Sequence, residues 1–502
     1  MRLTFLGHAS WLVTTSHASI LTDPVLSDFR DGSFAISPTR ILNLRKLPKI
    51  DAVVLTHRHR DHFDLATLNL LDRETPIYCP VDPVIRHALD RFAFTKVVPV
   101  SDWSRETFRD VTMLFTRSAN PVPEHGVLFS DDEHLFWNQA DTVVHADTIA
   151  LLRAFVEQRI DLVAHAYQPM MEMAVLDSLS LEFPIDDYAA LLDAARLLEP
   201  RAVVPSSNGY RITGKQAWIN AYKFPVTRER FVRDVRDVLP GVTTHIPNPG
   251  DVLVVTDAGV RLRRQAAENG FVRTVTDDAV ELTRFNPVGP RPPVTDENPR
   301  RLSLRRLRQS VRFVFEKRFL PIARTASRLH PILALEPLIE CRVVYPSGQR
   351  ENWAIDMRGR TPRIEVRPPD ECSDFVVEIA ASTLHHLMTG ETRRDIVMLS
   401  GEYRQFSRAY RTIGGRIMGH AQVVPAGVFG DSRGHGGAMN LLLSWMSNES
   451  DAEVRLIDTE IDRLLGSCSG DDATPFWERS AVTRGRAARP RAAVKMPIRR
   501  GR

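Results

Sequence analysis

Six consecutive residues, His57-Arg58-His59-Arg60-Asp61-His62, bring three imidazoles and one carboxylate together. They follow directly on Ala52-Val53-Val54-Leu55-Thr56, an apolar run that reads as a buried strand. A strand ending in this way delivers four metal-competent groups to one edge of a sheet. Imidazole nitrogen and carboxylate oxygen suit zinc, iron or manganese. His57 and His59, two residues apart, can chelate one ion from an extended turn, while Asp61 and His62 turn toward a second. Two neighbouring ions would share a bridging hydroxide, a ready nucleophile. Arg58 and Arg60 alternate with the histidines and either bind a substrate phosphate or are solvated.

The elements that must hold this run are strands and helices in alternation. Strand-like runs lie at 2–6, 11–14, 18–22, 52–56, 96–100, 111–115, 126–130 and 134–137. Helical spacing appears at 64–72, 81–91, 145–158, 185–198 and 226–238, with further strands at 201–205 and 251–256. The pattern predicts an α/β unit over residues 1–265, with sheets covered by helices. Residues 287–299 contain five prolines and no periodic pattern, and read as a linker. Residues 301–319 have helical spacing, with Leu304, Leu307, Val311 and Val314 on one face and arginines on the other. That basic face either contacts acidic lipid or a phosphate or is simply solvated. Residues 266–335 are therefore expected to be linker plus basic helix. From 336 to 466 a smaller α+β domain is expected. It opens on a hairpin, 339–345 and 351–357, around Pro346-Ser347-Gly348-Gln349, and continues with strands at 363–367 and 374–379 and helices near 380–389 and 400–411. Residues 480–502 are expected to be a disordered basic tail.

The HxHxDH run after an apolar strand resembles the signature of the metallo-β-lactamase superfamily. Leu6-Gly7-His8-Ala9-Ser10 and Ile20-Leu21-Thr22-Asp23-Pro24 are similar to the opening of its branch of ascorbate-6-phosphate lactonases and N-acyl-phosphatidylethanolamine phospholipase D. The resemblance implies an αββα sandwich over roughly the first 260 residues and a metal-dependent hydrolase. It implies that His57, His59 and His125 hold a first ion, that Asp61 and His62 hold a second, and that Asp141 bridges them. It also implies that Asp23 supports the metal loop, and Asp61 is expected to orient the nucleophile as well. The residues themselves leave alternatives. Glu124 rivals His125, Asp141 suits a helix N-cap, Asp-Pro is a plain turn signal, and His8 either lines the site or bonds to backbone. The family's last histidine is missing, because Ser206-Ser207-Asn208-Gly209-Tyr210 stands where it belongs. His165 is the substitute to consider, and a weak or absent second ion is the consequence to expect. Phe136-Trp137-Asn138-Gln139-Ala140-Asp141 and the extra C-terminal domain are similar to proteins related to CMP-N-acetylneuraminate hydroxylase.

Composition limits the remaining choices. Of 502 residues, 43% are hydrophobic and 25% charged, which excludes a wholly disordered or collagen-like chain. Eight basic and no acidic residues lie in 481–502, so the net charge of +4 becomes −4 once they are set aside, and no nucleic-acid partner is expected. The cysteines at 79, 341, 372 and 468 form no CxxC or CxH, which excludes a Rieske cluster and a disulfide scaffold. Reduced thiols favour a cytoplasmic location, and Cys79 reads as a buried structural thiol. No transmembrane segment is expected, and the oligomeric state is not legible. The expected activity is a hydrolase that uses metal-bound hydroxide, with one or two zinc ions, against an ester, lactone or phosphoester-type small molecule. The alternatives are a non-haem iron oxygenase on the same ligands and a catalytically degenerate binding protein. Truncation after residue 480 should leave the melting temperature unchanged, since the tail has no apolar face to offset ordering costs of ~1–2 kcal/mol per residue. A drop of several degrees in calorimetry would show that the tail docks.

Overall fold

The computed structural model describes residues 1–27, 34–120, 122–156, 158–169, 171, 182–265, 270–276, 291–321, 336–359, 361–369, 373–392, 397, 401–407, 410–419 and 449–466. The expected basic tail, much of the expected linker, Cys372 and Cys468 lie outside them.

Two sheets stack face to face in the N-terminal unit. The first runs in the order Gly259–Arg263, Val252–Thr256, Arg2–Gly7, Ser10–Thr14, Ser19–Thr22, Ala52–Val54, Ile77–Pro80, Val97–Val100. Its last four strands are parallel. The second runs Thr243–Thr244, Ala202–Ser206, Leu162–Ala166, Leu135–Asn138, His125–Ser130, Val111–Arg117, Arg105–Phe108. Side chains that alternate along these strands meet between the sheets, and Trp11, Phe115, Phe129, Phe136 and Val204 are fully or nearly fully buried there. Helices α1 (Leu65–Leu70) and α2 (Pro83–Arg91) cover the first sheet. Helices α3 (Ala146–Phe155), α4 (Ile185–Leu198) and α5 (Arg228–Val238) cover the second. The layers are therefore αββα. Asp64 and Asp82 start α1 and α2 by accepting two backbone N–H groups each.

The N-terminal unit extends past residue 265, because Val272–Thr276 pairs antiparallel with Thr39–Leu42. A second, α+β unit has a five-stranded sheet in the order Arg363–Val366, Arg350–Asp356, Leu338–Val344, Phe375–Ala380, Tyr403–Ser407. Helix α6 (Leu304–Arg312), its wider continuation Phe313–Phe319 and helix α7 (Ala381–Thr389) pack on it. The basic helix is thus part of this unit: Leu307, Val311, Val314, Phe315 and Phe319 sit in its core. The helix expected near 400–411 is instead the strands Tyr403–Ser407 and Tyr410–Ile413. Tyr403 and Gln405 are buried while Phe406 is exposed, a period of two that fits a pleated strand and no helix. Helix α8 (Glu449–Gly466), at the end of the expected second domain, returns to the N-terminal unit and lays Ile457, Ile461 and Leu464 against the residues under α1 and α2.

Among the described residues, no helix is long and apolar enough to cross a membrane. Cys79 and Cys341 are buried free thiols, and burial pushes Cys79 up to about 12, so neither is a ready nucleophile. His385 is structural, its Nδ1 lying 2.7 Å from Ser310 Oγ of α6. Leu307→Ala should lower the stability of the second unit by about 2–5 kcal/mol, as expected for a large-to-small change in a closed core, and urea unfolding would measure it.

Candidate metal centre

The site forms where the loops after three strands converge. Ala52–Val54 and its parallel neighbour Ser19–Thr22 release the loops that carry His57–His62 and Asp23. Leu135–Asn138, in the facing sheet, releases the loop that carries Asp141. Asp23 is fully buried and takes a left-handed backbone turn, with φ of 39°. Its Oδ1 accepts the Thr56 backbone N–H at 2.7 Å, and its Oδ2 accepts the Thr56 hydroxyl at 2.7 Å. The same Oδ2 lies 2.8 Å from His62 Nδ1. Thr56 Oγ1, having donated its proton to Asp23, accepts from His57 Nδ1 at 3.0 Å. This network places a proton on Nδ1 of both His57 and His62, so that Nε2 is the nitrogen each can offer to a cation, for His62 once the cation replaces its Nε2 proton.

His62 Nε2 lies 3.2 Å from Asp141 Oδ2 and 3.9 Å from Asp61 Oδ2. The His57 ring sits 4.1 Å from that of His62 and 4.5 Å from that of His59, between centroids. His8 enters from the β-turn between Arg2–Gly7 and Ser10–Thr14, and its Nε2 lies 3.1 Å from His62 Nε2 and 3.2 Å from Asp61 Oδ2. His8, Asp61, His62 and Asp141 each offer one atom within 4.8 Å of the others. The Gly209 N–H donates to His8 Nδ1 at 3.2 Å, which leaves the proton of neutral His8 on Nε2. His8 is therefore a hydrogen-bond donor toward Asp61, and Asp61, His62 and Asp141 are the lone-pair donors. Gly209 is required for this contact, because a Cβ there would lie 2.9 Å from the His8 backbone.

Three buried atoms here have no hydrogen-bond partner among the described residues: His57 Nε2, Glu124 Oε1 and Asp141 Oδ1. Leaving such groups unpaired is costly unless a cation takes their lone pairs, and all three are metal-ligand types. Glu124 Oε1 lies 3.5 Å from His57 Nδ1, and its Oε2 accepts from Ser118 Oγ at 2.7 Å and Asn120 Nδ2 at 2.5 Å. Charges point the same way. Burial, together with His62 and His59, holds His57 well below its ordinary value, so it is neutral and ready to ligate. Burial opposes ionisation of Asp61 and Asp141, but His62 and His8 outweigh it and hold both carboxyls low. Burial also disfavours charge on His62, yet Asp141, Asp23 and Asp61 raise it well above its usual value, the mark of a carboxylate cage that favours a positive occupant. Burial raises Glu124 to about 7. The donor set fits a divalent ion of the zinc or iron type.

The structure thus gathers His57, His59, Asp61, His62 and Asp141 at one place. His59 is exposed, and its ring packs edge-on against His57. His125 is not brought in. Its backbone N–H donates to the Thr56 carbonyl, and its ring faces Asp102, at 3.4 Å, and Phe115. The neighbouring Glu124 faces His57 instead, since adjacent residues entering a strand point to opposite sides. Asp141 is no helix cap, because α3 begins only at Ala146. His165 is fully buried against Phe231 on the helix side of its sheet, and burial lowers it to about 4. Neither it nor Ser206–Asn208 brings an imidazole to the cluster. The inward aim of His8 is not legible in the sequence, whose only signal is Gly209 two hundred residues away.

A family model described as a beta-lactamase superfamily domain matches residues 18–206. This chain carries a metallo-β-lactamase superfamily domain. A Mycobacterium tuberculosis protein described as a Rieske 2Fe-2S iron-sulfur protein is 26% identical over 153 residues, 28% of this chain and 30% of that protein. The chain thus spans about a third of the length of these first curated relatives. A metal-dependent hydrolase of Rubrobacter xylanophilus is 26% identical over 266 residues, which cover 50% of this chain and 96% of that protein. Among solved structures, the metallo hydrolase Igni18 of Ignicoccus hospitalis is similar at 18% identity with a TM-score of 0.36, covering 50% of this chain and 96% of its own. CmlA, a diiron β-hydroxylase of Streptomyces venezuelae, is similar at 20% identity with a TM-score of 0.36, covering 52% and 54%. In this metallo-β-lactamase domain, Asp23→Ala should weaken zinc binding by roughly 10–100-fold, because both histidine tautomers depend on that carboxylate. A competition titration with a chromophoric chelator would read it.

Proposed function

We propose that the N-terminal sandwich is a metal-dependent hydrolase that acts on an ester, lactone or phosphoester-type small molecule. The observation that carries this reading is the cage of His8, Asp61, His62 and Asp141, which holds the orphaned Asp141 Oδ1 and has His57, with its orphaned Nε2, and Glu124, with its orphaned Oε1, beside it. His57, His59 and Glu124 are the proposed holders of a first ion, Asp61 and His62 of a second, with Asp141 between them. His125, with its ring turned to Asp102, is left out of this set. When bound, such ions polarise a carbonyl or phosphoryl oxygen and supply water at a lowered pKa. The chain's own residues orient and exchange protons around that chemistry. Asp61 accepts from His8 and is placed to orient the attacking water. The His8 Nε2–H is placed to donate to developing negative charge. The second position has one imidazole where the first has two, so two ions of unequal affinity are expected.

A second reading, a non-haem iron oxygenase, gains from Glu124. With Glu124 in place of His125, the set holds three carboxylates and three imidazoles, a balance that suits iron as well as zinc. Metal analysis of the purified chain, followed by oxygen uptake with a reductant, separates the two readings. For the hydrolase, nitrophenyl esters, lactones and phosphodiesters should be cleaved in a chelator-sensitive way, and Asp61→Asn should lower kcat by about 100-fold or more. His57→Ala with His59→Ala should remove bound metal while the second unit stays folded. Full metal occupancy in that double variant would sink the assignment.

A further inference from the structure

The loop that carries His57–His62 is held at its two ends and free in its middle. Asp23 and Thr56 fix His57, and Asp23 fixes His62. The turn closes through the His59 carbonyl, which accepts from His62 N at 2.9 Å and Phe63 N at 2.8 Å. The His59 side chain makes no hydrogen bond among the described residues and is exposed, so its position depends on its neighbours. Those neighbours are Arg58 and Arg60. Neither is simply solvated. Arg58 Nη1 lies 3.5 Å from Asp82 and 3.8 Å from Glu453, and Arg60 donates to Glu460.

Glu453 and Glu460 come from α8, some four hundred residues later in the chain. They stand seven residues apart and so share a face. That face also carries Ile457, Ile461 and Leu464 into the core beneath α1 and α2. Its register is fixed further along by Asp458, which accepts from His87 Nε2 at 2.8 Å and Arg91 Nη1 at 2.6 Å, and by Asp462, which accepts from Arg91 Nη2 at 2.5 Å. The two glutamates and the three arginines are only partly exposed or lie at the edge of the packed helix, with Arg58 and Arg60 at 30% and 28% and Glu453 and Glu460 at 22% each. Arg91, at 36%, is the most open of those quoted. Apolar packing seats the helix, and the carboxylates then grip the loop.

We propose that Glu453 and Glu460 of α8 are positioning residues for the metal loop: by holding Arg58 and Arg60 they set His59 against His57 and pre-organise the first ion's site. This rests on the metal-centre reading above. The test uses the full-length chain, stripped of metal and titrated with zinc well below its melting temperature. The double variant E453Q/E460Q should bind the tighter zinc roughly tenfold more weakly, in the range typical of residues that support ligands. Its apo melting temperature should stay close to that of the wild type, because Ile457, Ile461 and Leu464 are untouched. R60E should also weaken binding, and R60E/E460R should recover most of that loss, which a merely structural role would not do. Unchanged zinc affinity in E453Q/E460Q, with metal bound normally by the wild type, would overturn this inference alone. A wild-type chain that binds neither zinc nor iron(II) would overturn the metal-centre reading and this inference with it.

Discussion

One buried carboxylate orders the site. Asp23 has no solvent to satisfy it, so its oxygens must be filled by protein donors. They are filled by the Thr56 N–H, the Thr56 hydroxyl and His62 Nδ1. Each contact has a second effect. The backbone contact ties the end of one parallel strand to the start of the His57–His62 loop. The hydroxyl contact turns Thr56 into an acceptor for His57, and the imidazole contact points the His62 Nε2 lone pair inward. Asp23 adopts a positive φ, a conformation that L-residues other than Asn, Asp and Gly rarely take, which fits a position held by its hydrogen bonds. Nearby, the buried Arg40 guanidinium donates to the Leu6 and Val25 carbonyls and braces the loops that carry His8 and Asp23.

Around that anchor the site is an electrostatic cage. Asp23, Asp61 and Asp141 surround His62, and Glu124 closes the His57 side. Burying four carboxyl groups together costs a great deal unless positive charge accompanies them. Protonated imidazole supplies part of it, and Glu124, raised by burial, sheds part of its own charge. A divalent ion would satisfy the whole set at once, which is why the orphaned lone pairs and the charge pattern lead to one conclusion. His8 differs from its neighbours for a physical reason. The backbone N–H of Gly209 occupies its Nδ1, so its outer nitrogen carries a proton and serves as a donor.

The chain also spreads its architecture unevenly over its length. The second unit recruits α6 from what reads as a linker, because Leu307, Val311 and Val314 need a sheet to cover them. Trp218 of the first unit lies against Gly401 and under Arg404 of the second, with the Arg404 guanidinium 5.4 Å from the indole. Helix α8 then leaves the second unit for the first, so the two units are joined by packing as well as by covalent continuity.

The sequence by itself determined the αββα class, most helix positions to within two or three residues, and that the run His57–His62 gathers metal-competent groups after a buried strand. These follow from short-range facts: apolar periodicity, capping residues such as Asp82, and the density of metal-competent groups after a buried strand. Only the tertiary structure decided which of Glu124 and His125 faces the loop, that His8 enters it, that His165 does not, and that Glu453 and Glu460 hold Arg58 and Arg60. Each of these turns on the direction of one side chain or on a contact between residues tens to hundreds of positions apart. Local spacing carries no information about either. A one-residue change of face at the start of a strand exchanges Glu124 for His125, and nothing in the composition of Pro123-Glu124-His125-Gly126 separates the two. The choice is made by the packing of Asp102 and Phe115 around one ring and of Ser118 and Asn120 around the other carboxylate, which exists only once the sheets have stacked.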